Sequence, residues 1–336
     1  MKITMKDIAK QANVSIATVS LVLNHKPGRV SDEMREKILR LAKEMNYVPN
    51  QMAKQLVTQK SNAIGIIVPD LENYFFASLV SRLQNEMRKR NIFVLIVTSG
   101  DEIEEDIKGI DLLISRGVDL LILTVSNHAH NNTQRYLQKL QHLPVPAIMV
   151  DRIIEEYQGP KIQFNDFDGM IKLTNYVISQ NHKKIAFING DRKMARTAGR
   201  TQGFLSAMKD ANLNVSQDDI YDGNYSYESG YDFFDEIYDQ NRYTSIIAAN
   251  DMMAYGLMKR AFERELHIPE DISICGYDNV KFSEMLNPTL TTVNQNLDDL
   301  IKEILILIEK LLKDRHYTES IVLDTELMVR NSVKKI

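Results

Sequence analysis

The stretch TMKDIAKQANVSIATVSLVLN, Thr4 to Asn24, holds two short helix patterns broken by a tight turn at Asn13-Val14. Ile8, Ala9 and Ala12 form one stripe at helical spacing, and Val14, Ala17, Val19, Val22 and Leu23 can pack against it. Ser15 stands at the N-cap of the second pattern, where its hydroxyl can accept a first-turn N–H. Two helices this short, joined this tightly, make the helix-turn-helix that places its second helix in a DNA major groove. The same hairpin also occurs as plain core packing, so the rest of the chain decides between the two.

Outward from the turn, the pattern predicts helices over about 5–12, 16–23 and 32–45, a three-helix head spanning 1–46. Thr4 with Asp7 three residues on reads as a capping box. The second helix would turn Ser15, Ile16, Thr18 and Leu21 outward. Pro27 and Gly28 oppose helix, Ser31 caps the third helix, and Ile38, Leu41, Ala42 and Met45 give it an apolar face. In NYVPNQMAKQL, residues 46–56, Pro49 bars helix before Asn50, and the segment to Leu56 is too short to be stable alone. It is either a linker with helical character or a hinge over 47–61 that folds on DNA. In the second reading Asn50 and Ala53 face the duplex and Leu56 wedges between minor-groove base steps.

Charge separates the head from the body. Residues 1–60 carry 11 Lys/Arg against 5 Asp/Glu, whereas the remainder carries 30 against 40, so only the head suits phosphates. No run approaches the roughly 18 apolar residues of a membrane helix, and Met1–Lys10 lacks the apolar core of a signal peptide. The single cysteine, Cys275, allows no internal disulfide and reads as a small buried strand residue, which fits a cytoplasmic protein. No phosphate loop, zinc spacing or nucleophile elbow is present, and His128-Ala-His130 lies in a polar loop. Neither an enzyme nor a cofactor-binding protein is expected.

From Asn62 onward, apolar β-rich runs alternate with helical patterns. The runs are continuous rather than alternating, as parallel strands buried on both faces require. The expected fold is an all-α helix-turn-helix head on an α/β body of two doubly wound parallel-sheet subdomains. Their ligand crevice should lie outside the carboxyl ends of the strands. The subdomains are expected over about 62–160 plus 291–319, and about 161–290 plus 320–330.

In order, DIAKQANVSIATVSLVLN, VSDEMREKI, NYVPNQMAKQL, IGIIVPD, SRGVDLLIL, RTQGF, AANDMMAYG, IPEDISICGYDN and LTTVNQ resemble the lactose-repressor/galactose-repressor (LacI/GalR) family of bacterial transcription regulators, over essentially the whole chain. The resemblance implies a body of periplasmic-binding-protein type I that closes on ligand by a hinge. It implies that the 16–23 helix reads the major groove and that Leu56 holds the wedge position. Where many relatives carry a polar reader this chain has Leu21, with Ile16 and Ala17 at the first reading positions. None of the three can hydrogen-bond a base edge, so thymine methyls are the expected contacts. Ser15, Thr18, Ser20, Asn24 and Thr4 are left for phosphates.

For the effector, the resemblance and the strand ends together single out Asn73, Phe75, Asp151, Arg200, Tyr225, Asn250 and Asp278. Asp70, Arg152 and Asp251 are further polar residues at strand ends, and each of this group can instead serve as an N-cap or an ion pair. Carboxylates, amides and a forked guanidinium suit paired hydroxyls, and an aromatic ring covers a sugar face. The basic segment from Asp191 to Arg196 would add cations, so a sugar phosphate is expected beside a neutral sugar. The family's usual proline after Asn73 is Tyr74 here. The expected partners are therefore a double-stranded DNA operator, a sugar or sugar-phosphate effector and a second copy of the chain, with no membrane. A regulator answering to a protein partner, or a sugar-transport receptor, remains open at this point.

Overall fold

Helix formation in the head follows from its caps. The computed structural model describes residues 3–24, 27–47, 61–126, 133–190, 195–240 and 242–336, with backbone alone at 195–197. In the head, α1 (Met5–Ala12), α2 (Ile16–Leu23) and α3 (Asp32–Glu44) lie within the predicted bounds. The Asp7 carboxylate accepts from the Thr4 hydroxyl at 2.7 Å and the Thr4 N–H at 2.9 Å, which holds its pKa below the usual range. Asn13 closes α1 with φ 58°, a left-handed turn that asparagine tolerates. Ser15 Oγ then accepts from Thr18 N–H at 3.1 Å and starts α2. Ile8, Ala9, Ala12, Val19, Val22 and Ile38 form the buried centre. Ala17, expected to pack there, is exposed. Two residues on a helix are 200° apart, so a face that buries Val19 turns Ala17 outward.

The chain divides by contacts into Met1–Ser61 and Asn62–Ile336. In the second unit, β1 (Ala63–Val68), α4 (Tyr74–Lys89), β2 (Phe93–Thr98), α5 (Ile103–Ser115), β3 (Leu120–Leu123), α6 (Thr133–Gln141), β4 (Ala147–Val150) and β5 (Lys161–Phe164) alternate. They continue through α7 (Asp166–Ser179), β6 (Ile185–Asn189), α8 (Ala195–Asp210), β7 (Ile220–Asp222), α9 (Tyr227–Tyr238), β8 (Ser245–Ala248), α10 (Asp251–Glu263) and β9 (Ser273–Cys275). The chain then adds β10 (Thr292–Asn294), α11 (Leu297–Lys313), β11 (Ser320–Leu323) and β12 (Glu326–Met328). One sheet runs β11-β5-β4-β3-β1-β2 and a second runs β7-β6-β8-β9, both parallel, while β10 and β12 pair antiparallel.

Three short elements fall on the other side of the expected division. Lys161–Phe164 and Ser320–Leu323 pair with each other in the first sheet, although residues from 161 and from 320 were expected in the second half. Thr292–Asn294 sits instead beside the second sheet, through bridges Cys275–Thr291 and Asp278–Asn294. Runs of three or four residues state that a strand exists but not which sheet accepts it, because pairing is decided in space. The chain therefore crosses between the halves at 164–166, 294–297 and 323–326. Helix α11 packs into the first half through Leu300, Ile304, Leu307 and Leu311, as expected.

Within the second half, α9 and α10 approach backbone to backbone. A methyl on Gly230 would come within 2.0 Å of Met253 O, and one on Gly256 within 2.1 Å of Tyr227 O. Nearby, the fully buried Asp251 ties the start of α10 to the loop beyond β9. Its carboxylate accepts from Thr292 Oγ1 at 2.6 Å, Ser283 Oγ at 2.7 Å and Val280 N–H at 2.9 Å. Burial outweighs these donors and pushes its pKa up to about 6. Cys275 is buried in β9, and burial raises its thiol pKa.

Two outcomes follow. Gly256→Ala should cost about 1–3 kcal/mol, because the atoms it meets are backbone and cannot rotate away; an unchanged denaturation midpoint would refute this contact. Asp251 binds its proton more tightly folded than unfolded, where its pKa is about 3.9. Its contribution to stability therefore falls as pH rises from about 4 to about 6 and is constant above. The difference in melting temperature between the parent and Asp251→Asn should shift against the parent across that window, and a pH-independent difference would count against the raised pKa.

Candidate functional site

The first candidate surface is the outer face of α2. Ile16 is 48% exposed and Ala17 is exposed beside it, with no polar group of their own to offer a base edge. The hydroxyls around them are engaged in pairs. Ser15 Oγ and Thr18 Oγ1 lie 2.9 Å apart, and Asn24 Nδ2 donates to Ser20 O at 2.9 Å and Ser20 Oγ at 3.3 Å. Thr4 is exposed, with its hydroxyl on Asp7. Leu21 departs from expectation: it is half-buried and packs on Gly28, where a Cβ would sit 3.1 Å from it. With Gly28 against that position, Leu21 is less available than Ile16 and Ala17. Asn50, Ala53 and Leu56 lie outside the described residues.

The second candidate is a cleft of about 250 Å³ in the body, just below the usual range of ligand sites. Ser126, Asp151, Arg152 and Phe164 supply its wall at the carboxyl ends of β3, β4 and β5, and Asp166 and Gly199 supply the wall from α7 and α8. This is the crevice a doubly wound sheet provides. Asp151 adopts φ 69° as the chain leaves β4. Arg152 is directed by Asp101 at 2.7 Å and lies 5.1 Å over the Phe76 ring, so most of its charge is already answered.

Behind the cleft sits Arg200, 1% exposed. Its guanidinium reaches Asp166 at 3.3 Å and Asp278 at 3.4 Å, donates to Ala249 O and stacks 3.8 Å over Tyr277. Gln295 Nε2 reaches the same Asp166 oxygen at 3.3 Å. The expected Asp151, Arg200 and Asp278 are thus brought to one region, through an Asp166 that the sequence reading did not select. Its only sequence cue was a position after Asn165 at a helix start, which reads as helix-dipole chemistry. Gln295 lay within LTTVNQ without being singled out.

Asn73, Phe75 and Asn250 also hold the fold. Asn73 caps α4 by accepting from Phe75 N–H at 3.0 Å, and Asp70 accepts from Asn73 N–H at 2.6 Å. Phe75 is buried in the first-half core, 5.3 Å from Phe76, and does not wall the described cleft. Asn250 caps α10 through Met253 N–H at 3.0 Å and holds Tyr225 O at 2.8 Å with its other end. Tyr225 is half-buried with φ 67°, its ring set against Gly190. A polar residue after a parallel strand faces the next helix's free N–H groups as readily as a ligand, which is why these positions read alike in sequence. The segment 191–194 and the Arg196 side chain lie outside the described residues, as do His128 and His130. Among the described residues no cluster of metal-ligating side chains is found, and no helix is long and apolar enough to cross a membrane.

Comparison with known proteins agrees with this geometry. Residues 4–50 match bacterial regulatory proteins of the lacI family, and residues 174–333 match the periplasmic binding protein-like domain. The HTH-type transcriptional repressor PurR of Vibrio vulnificus (strain CMCP6) is 32% identical over 335 residues, covering 99% of both chains. The lac repressor dimer bound to operator and the anti-inducer ONPF shares the fold, with TM-score 0.86 at 24% identity over 99% of this chain and 100% of that one. A LacI family regulator from Enterococcus faecium with bound ribose superposes with TM-score 0.70 at 26% identity, over 82% of this chain and 99% of its own. By its head, its two-sheet body and its full-length similarity to a repressor, the chain belongs to the lacI family of bacterial regulatory proteins, as a DNA-binding transcriptional regulator and not an enzyme.

Proposed function

We propose that this regulator represses a carbohydrate-utilisation operon, binding a pseudo-palindromic operator as a homodimer under the control of a small sugar. The observation that carries the reading is one chain holding both an outward Ile16–Ala17 face and a polar cleft walled by Asp151, Arg152 and Asp166 at the carboxyl ends of parallel strands. The head over 1–46 reads DNA, 47–61 serves as the hinge, and the remainder binds effector and partner. A neutral sugar is favoured over its phosphate by the described lining. Asp151 and Asp166 bring carboxylates to the cleft, while the Arg152 and Arg200 charges already face acids. The ribose seen in the Enterococcus faecium relative is the same class of ligand.

Support for the homodimer comes from an apolar edge. Strand β2, FVLIVT, closes the first sheet, yet Phe93 is 63% exposed, and Leu95 and Ile96 are also exposed. An unpaired apolar edge strand invites association unless another surface covers it. A second apolar surface joins Tyr74 of the first half to Phe282 of the second, with ring centroids 4.5 Å apart, and continues over Phe262 and Leu286. A second copy covering both surfaces places two reading helices on one duplex, which a short helix needs for useful specificity.

Selection of operators from a random pool should yield A·T pairs opposite Ile16 and Ala17, and fixed G·C pairs there would defeat the methyl-contact reading. Ile16→Ala should weaken operator binding by about 1–2 kcal/mol from lost apolar contact, with the melting temperature unchanged because the side chain is outside the core. For the interface, Phe93→Glu with Leu95→Glu should convert the dimer to monomer in analytical ultracentrifugation and weaken operator binding. A variant that still sediments as a dimer would place the interface elsewhere.

A further inference from the structure

Asn189, the last residue of β6, is 1% exposed, and neither its Oδ1 nor its Nδ2 has a hydrogen-bond partner among the described residues. Buried carboxamides rarely leave both ends unused. Its surroundings explain what the two ends are for. Phe187, on the same face of β6, stacks on Phe204 of α8 at 4.9 Å. Arg200 stands one helical turn before Phe204, so the same face of β6, continued to Asn189, runs toward Arg200. A second route gives the same placement: Arg200 donates to Ala249 O, and Ala249 N–H donates to Ile188 O at 2.8 Å. On the following residue, a Cβ at Gly190 would lie 2.2 Å from the Tyr225 ring, so that ring rests directly on the backbone next to Asn189.

The geometry points to Asn189 as a specificity-determining residue of the effector site, its carboxamide giving one donor and one acceptor to a hydroxyl pair of a neutral sugar seated between Arg200 and Tyr225. This rests on the sugar reading of the cleft and goes further, because it assigns a ligand contact to a side chain outside the expected set. Asparagine suits that task where a carboxylate would not: it meets a hydroxyl as donor and as acceptor alike and adds no charge beside Asp166 and Asp278. A residue waiting for a ligand also leaves a signature that a structural residue cannot. Deleting an amide that bonds nothing in the free protein removes a burial penalty, while deleting one that bonds the fold exposes its partners.

The test uses the full chain, its Asn189→Leu variant and, against poor packing of leucine, Asn189→Ala. Melting temperatures are measured without sugar and with D-ribose and a panel of neutral mono- and disaccharides, and calorimetry gives the affinity for the best sugar of the parent. We expect both variants without sugar to melt no lower than the parent, and to bind that sugar about tenfold or more weakly. Lower melting temperatures for both variants without sugar would overturn the assignment, since the amide would then be bonding the fold. Equal affinity in parent and variants would overturn it as well. A parent stabilised by no neutral sugar is a different failure: it removes the sugar reading of the cleft, and the assignment with it.

Discussion

A guanidinium with almost no access to water is the constraint on which the body of this protein turns. Arg200 is 1% exposed, and an ion in that position survives only where opposite charge and hydrogen bonds replace its hydration. Asp166, Ala249 O, and the adjacent Tyr277 ring and Asp278 carboxylate do so from three separate segments. Those segments are not arbitrary parts of the fold. Asp166 follows the first crossover between the halves, Gln295 lies on the second and shares Asp166, and Thr325 lies on the third. A Cβ at Gly169 would meet both Tyr277 Oη and Thr325 Oγ1 within 2.6 Å, so the third crossover is packed against the same cluster. A ligand that competes for Asp166 or contacts Arg200 therefore acts where all three connections meet. Under the two-state logic of allostery, a ligand shifts the halves only by its differential contact with their arrangements, and under the proposed function this cluster would be the place for such a difference.

The same strand ends show how a fold divides polar residues between itself and its ligand. Asn250 spends its oxygen on Met253 N–H and its nitrogen on Tyr225 O, and Asp251 receives three donors; both are fully occupied in holding α10. Asn73 is occupied in the same way at α4. Asn189 has the same side chain as Asn73 and Asn250 and also follows the course of a parallel strand, with neither end used among the described residues. The resemblance singles out Asn73 and Asn250 and not Asn189, and residue type at a strand end is the same signal for a cap and for a ligand contact. Only the count of satisfied atoms separates them, and that count exists in three dimensions.

Legibility in the sequence follows the length of the signal. The head was readable because Ile8, Ala12, Val19, Val22 and Ile38 repeat at helical spacing and Thr4, Ser15 and Ser31 mark its helix starts. The long apolar strands and α11 were readable for the same reason. The assignment of β5, β10 and β11 was not, since three or four residues cannot name their sheet partner. Ala17 and Leu21 show the limit at single residues. Their exchange of expected environments depends on the rotation of α2 against α1 and on the Gly28 loop, neither of which periodicity reports.

The proposed regulation sets a requirement on α2. On α2, Ser15 is paired with Thr18 and Ser20 with Asn24, so contacts to phosphates must compete with bonds already made. Ile16 and Ala17 add apolar contact but no directed hydrogen bond to a base, and discrimination by methyl groups is worth less than a bidentate pair. A single head of this kind selects weakly. Two heads fixed at one spacing add their free energies and impose the separation of half-sites as a further criterion. The apolar edge of β2 belongs to the first half, and the Tyr74–Phe282 surface joins the two halves of the body. Under the proposed function, association there would make each reading helix depend on the angle between the halves, the variable on which a ligand at the Arg200 cluster would act. Under that proposal weak reading by one helix favours regulation, because a small change in the separation of the two heads would move the pair from a matched spacing to an unmatched one.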